Sequence, residues 1–273
     1  MVSVDSDHGT TRRTRGRHQR HLRTFEVAWQ LARLDLIRRY TATGLGLAWA
    51  ILAPLGMAVV IGTVFSQLFD QALAEFLPYL FMNLTLWAFF TGCLEGGAIA
   101  FIAAEGYIKQ VPNVSLWAYP LRMMLAAFVV LVLGLCAVVV VSLLLGVRPT
   151  LAWWTVVPGL AAWLAFGLAI AVLSAVLNTV ARDFEYIQGV AVQALFYATP
   201  VMYPPQMLTD HGLGWLLTIN PLYHLMMLVR TPLVYGGIAP PSHWLASALV
   251  LALLVPASFF VLRRARPSVV FWL

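Results

Sequence analysis

The sequence predicts an all-α integral membrane protein with six transmembrane helices, an N-terminal amphipathic interface helix and an extracytoplasmic re-entrant helical hairpin between spans five and six. Three observations lead there. Of 273 residues, 61% are hydrophobic and 10% charged, with a mean hydropathy of +0.84, whereas a soluble domain carries about a quarter charged residues. The apolar residues fall in runs long enough to cross a core of about 30 Å, which takes roughly 20 residues at 1.5 Å each. The basic residues between those runs gather on one side.

Residues 1–21 are polar and rich in Arg, Thr, Ser and His, and read as a disordered basic tail. Residues 22–40, LRTFEVAWQLARLDLIRRY, predict a helix. Phe25, Trp29, Ala32, Leu36 and Tyr40 share one face, and Arg23, Glu26, Gln30 and Arg33 another. It is too polar to cross and suits a helix lying among lipid headgroups. Asp35 is one turn from Arg39 and can pair with it. Spans are expected at 46–69, 77–103, 120–146, 152–178, 187–204 and 243–262, the fifth short and interrupted by Pro200, followed by a tail at 263–273.

With the N-terminus inside, the inner segments hold fifteen Lys and Arg residues and the outer segments two, Arg148 and Arg230. Cytoplasmic loops carry such an excess, so both termini are expected in the cytoplasm. The outer segment 205–242 holds LGWLLTI (213–219) and LYHLMMLV (222–229), separated by Asn220-Pro221. Each run is too short to span; they form either a re-entrant hairpin or a pair of helices on the outer surface. Cys93 and Cys136 lie inside apolar runs and read as buried free thiols.

No phosphate-cradling GxxxxGK[ST], no HExxH and no GxSxG occurs, so no enzyme's core machinery is recognisable. His211, His224 and His243 fall on the outer side without the spacing of a compact metal site. Glu95 lies inside span two, where a carboxylate is costly and must face a cavity or a partner, or be protonated and hydrogen-bonded. Asn83, Asn178, Gln188 and Gln193 are expected to bond across helices.

Four stretches together resemble the membrane subunit of ABC-2 type exporters for lipid-linked polysaccharides, the O-antigen and teichoic acid class. RRYTATGLGLAWAILAPL, 38–55, resembles that family's approach to span one, with Leu45, Gly46, Trp49 and Pro54 matching; Gly44 departs from the branched residue many relatives carry. EGYIKQVP, 105–112, resembles the loop after span two and is also similar to galactan exporters; RDFEYI, 182–187, resembles the Arg-Asp step before span five, and NPLYHLMMLVR, 220–230, the Asn-Pro…Arg signature of the outer hairpin.

The resemblance implies an ABC-2 transmembrane domain over 22–262 and a homodimer with the channel at its seam. It also implies two cytoplasmic ATPase subunits that bind the ATP and Mg, with no cofactor and no catalytic residue in this chain. Glu105, Gly106, Lys109, Gln110 and Pro112 would form the ATPase-coupling segment; an ordinary solvated loop is the rival reading. Arg38, Arg39 and Tyr40 would stand at the cytoplasmic mouth, where headgroup anchoring explains them equally. Trp49, Phe196, Tyr197, Tyr203 and Glu95 are candidates to line the path, as aromatic faces suit sugar rings; plain packing is the rival. Asn220, Pro221 and Arg230 would mark the hairpin. The implied setting is a bacterial plasma membrane, with lipids and a lipid-linked glycan as the other partners and no nucleic acid. A small-lipid or drug exporter, or a membrane glycosyltransferase, are the competing functions.

Overall fold

The computed structural model describes residues 8–41, 43–68, 72–110 and 114–272. Among them every regular element is helical. Pro112 and residues 1–7 lie outside the described residues.

Helix α1 runs from His8 to Tyr40. It starts well before the expected position, so residues 8–21 are helical rather than part of a tail. It packs along α5 (Ala118–Leu144) through Ala28 and Ala32, both fully buried. Phe25 and Trp29, which the sequence pattern groups on one face with Ala32, are half-exposed. The two alanines let the helix backbones approach, and the larger residues are left for the lipid boundary.

Among the described residues, five helices are long and apolar enough to cross a membrane: Gly46–Leu68, Leu73–Ile99, Ala118–Leu144, Leu151–Val180 and Pro241–Ala265. Their regular α-helical parts are α2 (Trp49–Leu68), α3 (Leu73–Ile99), α5, α6 (Val156–Val180) and α11 (Pro241–Ala265). Helix α3 is the centre of the bundle. Buried residues make up 67% of its most apolar window, against 17% for α2 and for α11. Its neighbours α5 and α6 come close because glycines line the contacts: a Cβ on Gly97 would stand 2.6 Å from the Ala171 backbone of α6, and one on Gly134 would stand 2.5 Å from the Thr85 methyl.

The expected fifth span, 187–204, is shorter than predicted. Helix α7 (Phe184–Ala198) has 15 residues, about 22 Å at 1.5 Å each, less than a bilayer core of about 30 Å. Thr199 is extended, at φ −103° and ψ 132°, as the residue before Pro200 must be. The chain then turns through 199–205 into three further helices: α8 (Gln206–Asp210), α9 (Gly214–Ile219) and α10 (Pro221–Tyr235). Helix α10 packs into the bundle against α3, α6 and α11, and Trp163 of α6 donates its indole N–H to the Leu225 carbonyl at 3.0 Å. It runs past the apolar stretch 222–229 and ends at Gly236, φ +69°, a left-handed position that suits glycine.

At the other end, α4 (Glu105–Gln110) and α12 (Val269–Trp272) close the bundle. The segment expected as a tail at 263–273 is packed: Ala265 and Val269 are buried with Ile108 of α4 and the ends of α3, α5 and α6. Cys93 is buried as expected, whereas Cys136 is exposed on the outer face of α5, where the surrounding medium is lipid.

Candidate functional site

The two ends of the bundle carry different chemistry. The end with α1, α4 and α12 is basic. Here Asp35 does not take up Arg39; its Oδ2 lies 3.4 Å from Nε of Arg122 at the start of α5. Arg122 is buried while Asp35 is one-third exposed, so the helix face that buries Ala28 and Ala32 also places Asp35 against α5. Arg38 and Arg39 remain exposed at the end of α1, and the Arg39 guanidinium lies 5.7 Å from the Tyr40 ring. Trp49, at the start of α2, is half-exposed, and Gly44 stands in open space.

Helix α4 is amphipathic over a single turn and a half. Ile108 is buried among Ala104, Tyr119, Val176 and Leu262, while Tyr107 is 63% exposed. Glu105 and Lys109 point outward and pair with each other at 2.6 Å, one turn apart. That hydrogen bond, then the ammonium charge, hold the Glu105 carboxyl below its ordinary value of 4.5. Gly106 has nothing within 4 Å of a would-be Cβ, and Gln110 is exposed. A charged outer face keyed by one buried apolar residue is a shape that a soluble partner can grip while the bundle feels the push.

Between the ends, polar side chains stitch α3, α6 and α7 together. Asn178 donates to the Ala98 carbonyl at 2.9 Å. The Ser174 Oγ lies 2.8 Å from the Leu94 carbonyl and 2.5 Å from Oε1 of Gln188. Gln193, expected to bond likewise, is exposed. Glu95 is on the one open stripe of α3, with Ala88 and Ile99 exposed and Thr91 half-exposed at helical spacing. Phe196 is half-buried, its ring edge-on to Trp87 at 5.1 Å. Tyr197 is 65% exposed, and the Tyr203 hydroxyl donates to the Tyr197 carbonyl at 2.6 Å.

The far end is built around the break after α7. Tyr79 places its hydroxyl 2.7 Å and 2.6 Å from the carbonyls of Pro200 and Tyr203, and Asn83 donates to the Val201 carbonyl at 3.1 Å. These contacts satisfy backbone that no helix satisfies, as chain at membrane depth requires. Asn220 accepts from the Leu222 and Tyr223 amides, capping α10, and donates to Thr199 Oγ1 at 2.8 Å. Pro221 follows as the first helical residue, where its missing N–H costs nothing. Arg230 is fully buried, donates to Oδ1 of Asn83 at 3.3 Å and lies 4.9 Å from the Tyr79 ring. Asn220 and Arg230 were singled out in the sequence by resemblance. Tyr79 was not, although Tyr79 and Asn83 stand one turn apart at the start of an apolar helix.

A helical bundle with, among the described residues, five membrane-length helices, an amphipathic N-terminal helix and a short charged helix at the basic end marks a multi-pass membrane protein. The family model for the ABC-2 type transporter matches residues 26–234, and the chain belongs to that family. It is similar to the O-antigen export system permease protein RfbA of Klebsiella pneumoniae, 26% identical over 219 residues, covering 78% of this chain and 82% of that protein. It is also similar to RfbA of Myxococcus xanthus, 27% identical over 244 residues, covering 86% and 91%. Chains of this family are transporter membrane subunits, and membership implies an ABC ATPase as partner.

Proposed function

We propose that this chain is the membrane subunit of an ATP-driven exporter that moves a lipid-linked polysaccharide outward across a bacterial plasma membrane. It works as a homodimer with two ATPase subunits, which bind the ATP and Mg; this chain carries no cofactor of its own. The basic end, with both termini, faces the cytoplasm, in keeping with fifteen of its seventeen Lys and Arg residues lying there.

The observation that carries the reading is α4, exposed on its charged face and anchored by Ile108 where α3, α5, α6, α11 and α12 meet. The ATPase docks on Glu105, Gly106, Lys109, Gln110 and Pro112, and its closure tilts the helix ends that grip Ile108. The polysaccharide cargo follows from the names of the relatives and from the aromatic residues Trp49, Tyr197 and Tyr203 left open to a path. The α3 stripe that holds Glu95 faces that path at the dimer seam, which gives the carboxylate the watery surroundings it needs. Arg38, Arg39 and Tyr40 lead a lipid pyrophosphate to the cytoplasmic mouth. Helix α7 and the inward-packed α10 together complete a sixth passage, with the break at 199–205 as the re-entrant point.

The test is depletion of the protein while lipid-linked glycans are followed on each side of the membrane. Finished polymer should collect in the cytoplasmic leaflet; normal surface polymer without internal build-up would move the function to export of small lipids or drugs. Lys109→Glu sets a second carboxylate against Glu105 and should lower co-purification of the ATPase several-fold with the membrane part intact. Full association and full export in that variant would remove α4 from the coupling role.

A further inference from the structure

Arg230 has a feature that hairpin geometry does not explain. Its side chain is fully buried, yet none of its contacts is an anion. Among the described residues the ion pairs are Lys109 with Glu105 and Arg122 with Asp35. The Arg230 guanidinium meets an amide oxygen on Asn83, the Met227 thioether at 2.7 Å, and the rings of Tyr79 and Tyr223 at 4.9 and 5.7 Å. Its Nε has no hydrogen-bond partner. A buried charge is retained only where something neutralises or strongly solvates it, and a thioether is a weak acceptor.

Arg230 is also among the residues around a cavity of about 240 Å³ at the end of the bundle opposite α4. Gln206 and Thr209 of α8 stand on its wall, with Tyr223 and Tyr235 of α10. These are an amide and three hydroxyls, with no carboxylate among them; the Thr209 hydroxyl donates to the Gln206 carbonyl at 2.8 Å, which leaves the amide and the two tyrosine hydroxyls as donors. Beside them the imidazoles of His224 and His243 lie 5.7 and 5.5 Å from the Tyr223 ring, one tilted and one edge-on, adding no negative group. A water occupies about 30 Å³ in the liquid, so the cavity has room for a phosphate with water around it.

We propose that this cavity is an anion site that binds a phosphate or pyrophosphate group, with Arg230 as the charge and the amide and hydroxyls as its supporting donors. Guanidinium suits that anion because its planar fork matches the oxygen spacing and its charge does not titrate away. The group comes from a phospholipid headgroup or from the pyrophosphate of a transported lipid; both present the same oxygens. The anion chemistry rests on the cavity alone, while its placement at the outer leaflet rests on the orientation proposed above. A site there would hold the charged group at the surface after it has crossed.

The test uses the full chain in nanodiscs, with the thermal unfolding midpoint as readout. Inorganic pyrophosphate is titrated against sodium chloride of equal ionic strength, in discs of phosphatidylcholine alone and in discs containing phosphatidylglycerol. Stabilisation by pyrophosphate identifies a soluble-facing phosphate site, stabilisation by phosphatidylglycerol alone a lipid-headgroup site, and either supports the proposal. Gln206 is exposed, so Gln206→Glu should fold normally and place a carboxylate on the cavity wall. It should weaken the pyrophosphate or lipid response at least tenfold, and Arg230→Gln should abolish it. No response in the unaltered protein, or an equal response in Gln206→Glu, overturns the site. Neither result bears on the depletion experiment, so export and anion binding stand or fall separately.

Discussion

The tightest point in the bundle is where α3 crosses α6, and Gly97→Ala tests whether that contact is as close as it looks. The added Cβ would lie 2.6 Å from both the Cα and the carbonyl oxygen of Ala171. Ordinary carbon contacts sit at about 3.5–4.0 Å, and backbone atoms cannot swing aside, so the helices must part by about 1 Å. Two interhelical bonds flank the crossing, Asn178 to the Ala98 carbonyl at 2.9 Å and Ser174 to the Leu94 carbonyl at 2.8 Å. Parting by that amount stretches both beyond hydrogen-bonding range. Overpacking costs about 1–3 kcal/mol, and polar contacts between membrane helices are worth roughly 0.6 kcal/mol each, at most about 1.7. Alanine's better helix propensity returns about 0.5–1 kcal/mol. The net loss is about 2–4 kcal/mol, or a fall of roughly 5–15 °C in midpoint at 2–4 °C per kcal/mol. The assay is thermal unfolding of the detergent-solubilised protein followed by size-exclusion chromatography. Gly106→Ala is the control, since a Cβ there meets nothing within 4 Å. A Gly97→Ala protein that melts within 2 °C of the control would refute the close crossing.

Three further outcomes are expected. Asp35→Asn leaves the buried Arg122 without its carboxylate; between exposed pairs at about 0–1 kcal/mol and buried ones at about 3–5 kcal/mol, a loss of roughly 2 kcal/mol is expected. Cysteine labelling at buried Ala28 should rise as α1 lifts from α5, and unchanged protection would dismiss the pair. Asn220→Ala removes the cap of α10 and the tie to Thr199, costing about 1–2 kcal/mol, while Asn220→Asp keeps the cap and should recover about half in the same melting assay; equal losses in both would assign the effect to the tie alone. The Glu105 carboxyl is depressed by Lys109, so the pairing contributes above the ordinary value of 4.5 and is lost as pH falls through the folded-state value. ATPase co-purification that depends on this paired face should weaken only on acidification below that value, and a loss between pH 6 and 8 would point to a different group.

How far the sequence predicts this molecule depends on whether a feature is periodic or positional. The long spans were legible because burying twenty residues in lipid leaves a compositional mark on the whole run. The Asn220-Pro221 start of α10 was legible because capping and first-turn chemistry are local. The face α1 packs on α5 was only partly legible: the sequence pattern groups Ala32 with Phe25, Trp29 and Leu36, yet close packing of helix on helix selects Ala28 together with Ala32. The same logic moves Asp35 from Arg39 to Arg122, a partner 87 positions away that only the α1–α5 crossing brings near.

The end of α7 shows why the rest was hidden. Pro200 announces that α7 must stop, but not what then satisfies the freed carbonyls of 200, 201 and 203. That work falls to Tyr79 and Asn83, more than a hundred residues earlier, of which the sequence marks only Asn83 as a residue that bonds across helices. Once those two side chains are committed to the break, Arg230 is left with a single amide oxygen, a thioether and two rings. The broken helix and the under-neutralised arginine are therefore one arrangement. Stabilising the turn at 199–205 takes the Tyr79 hydroxyl and the Asn83 amide N–H, and a buried guanidinium with one amide oxygen, beside a cavity, is what remains to meet an anion from outside the chain.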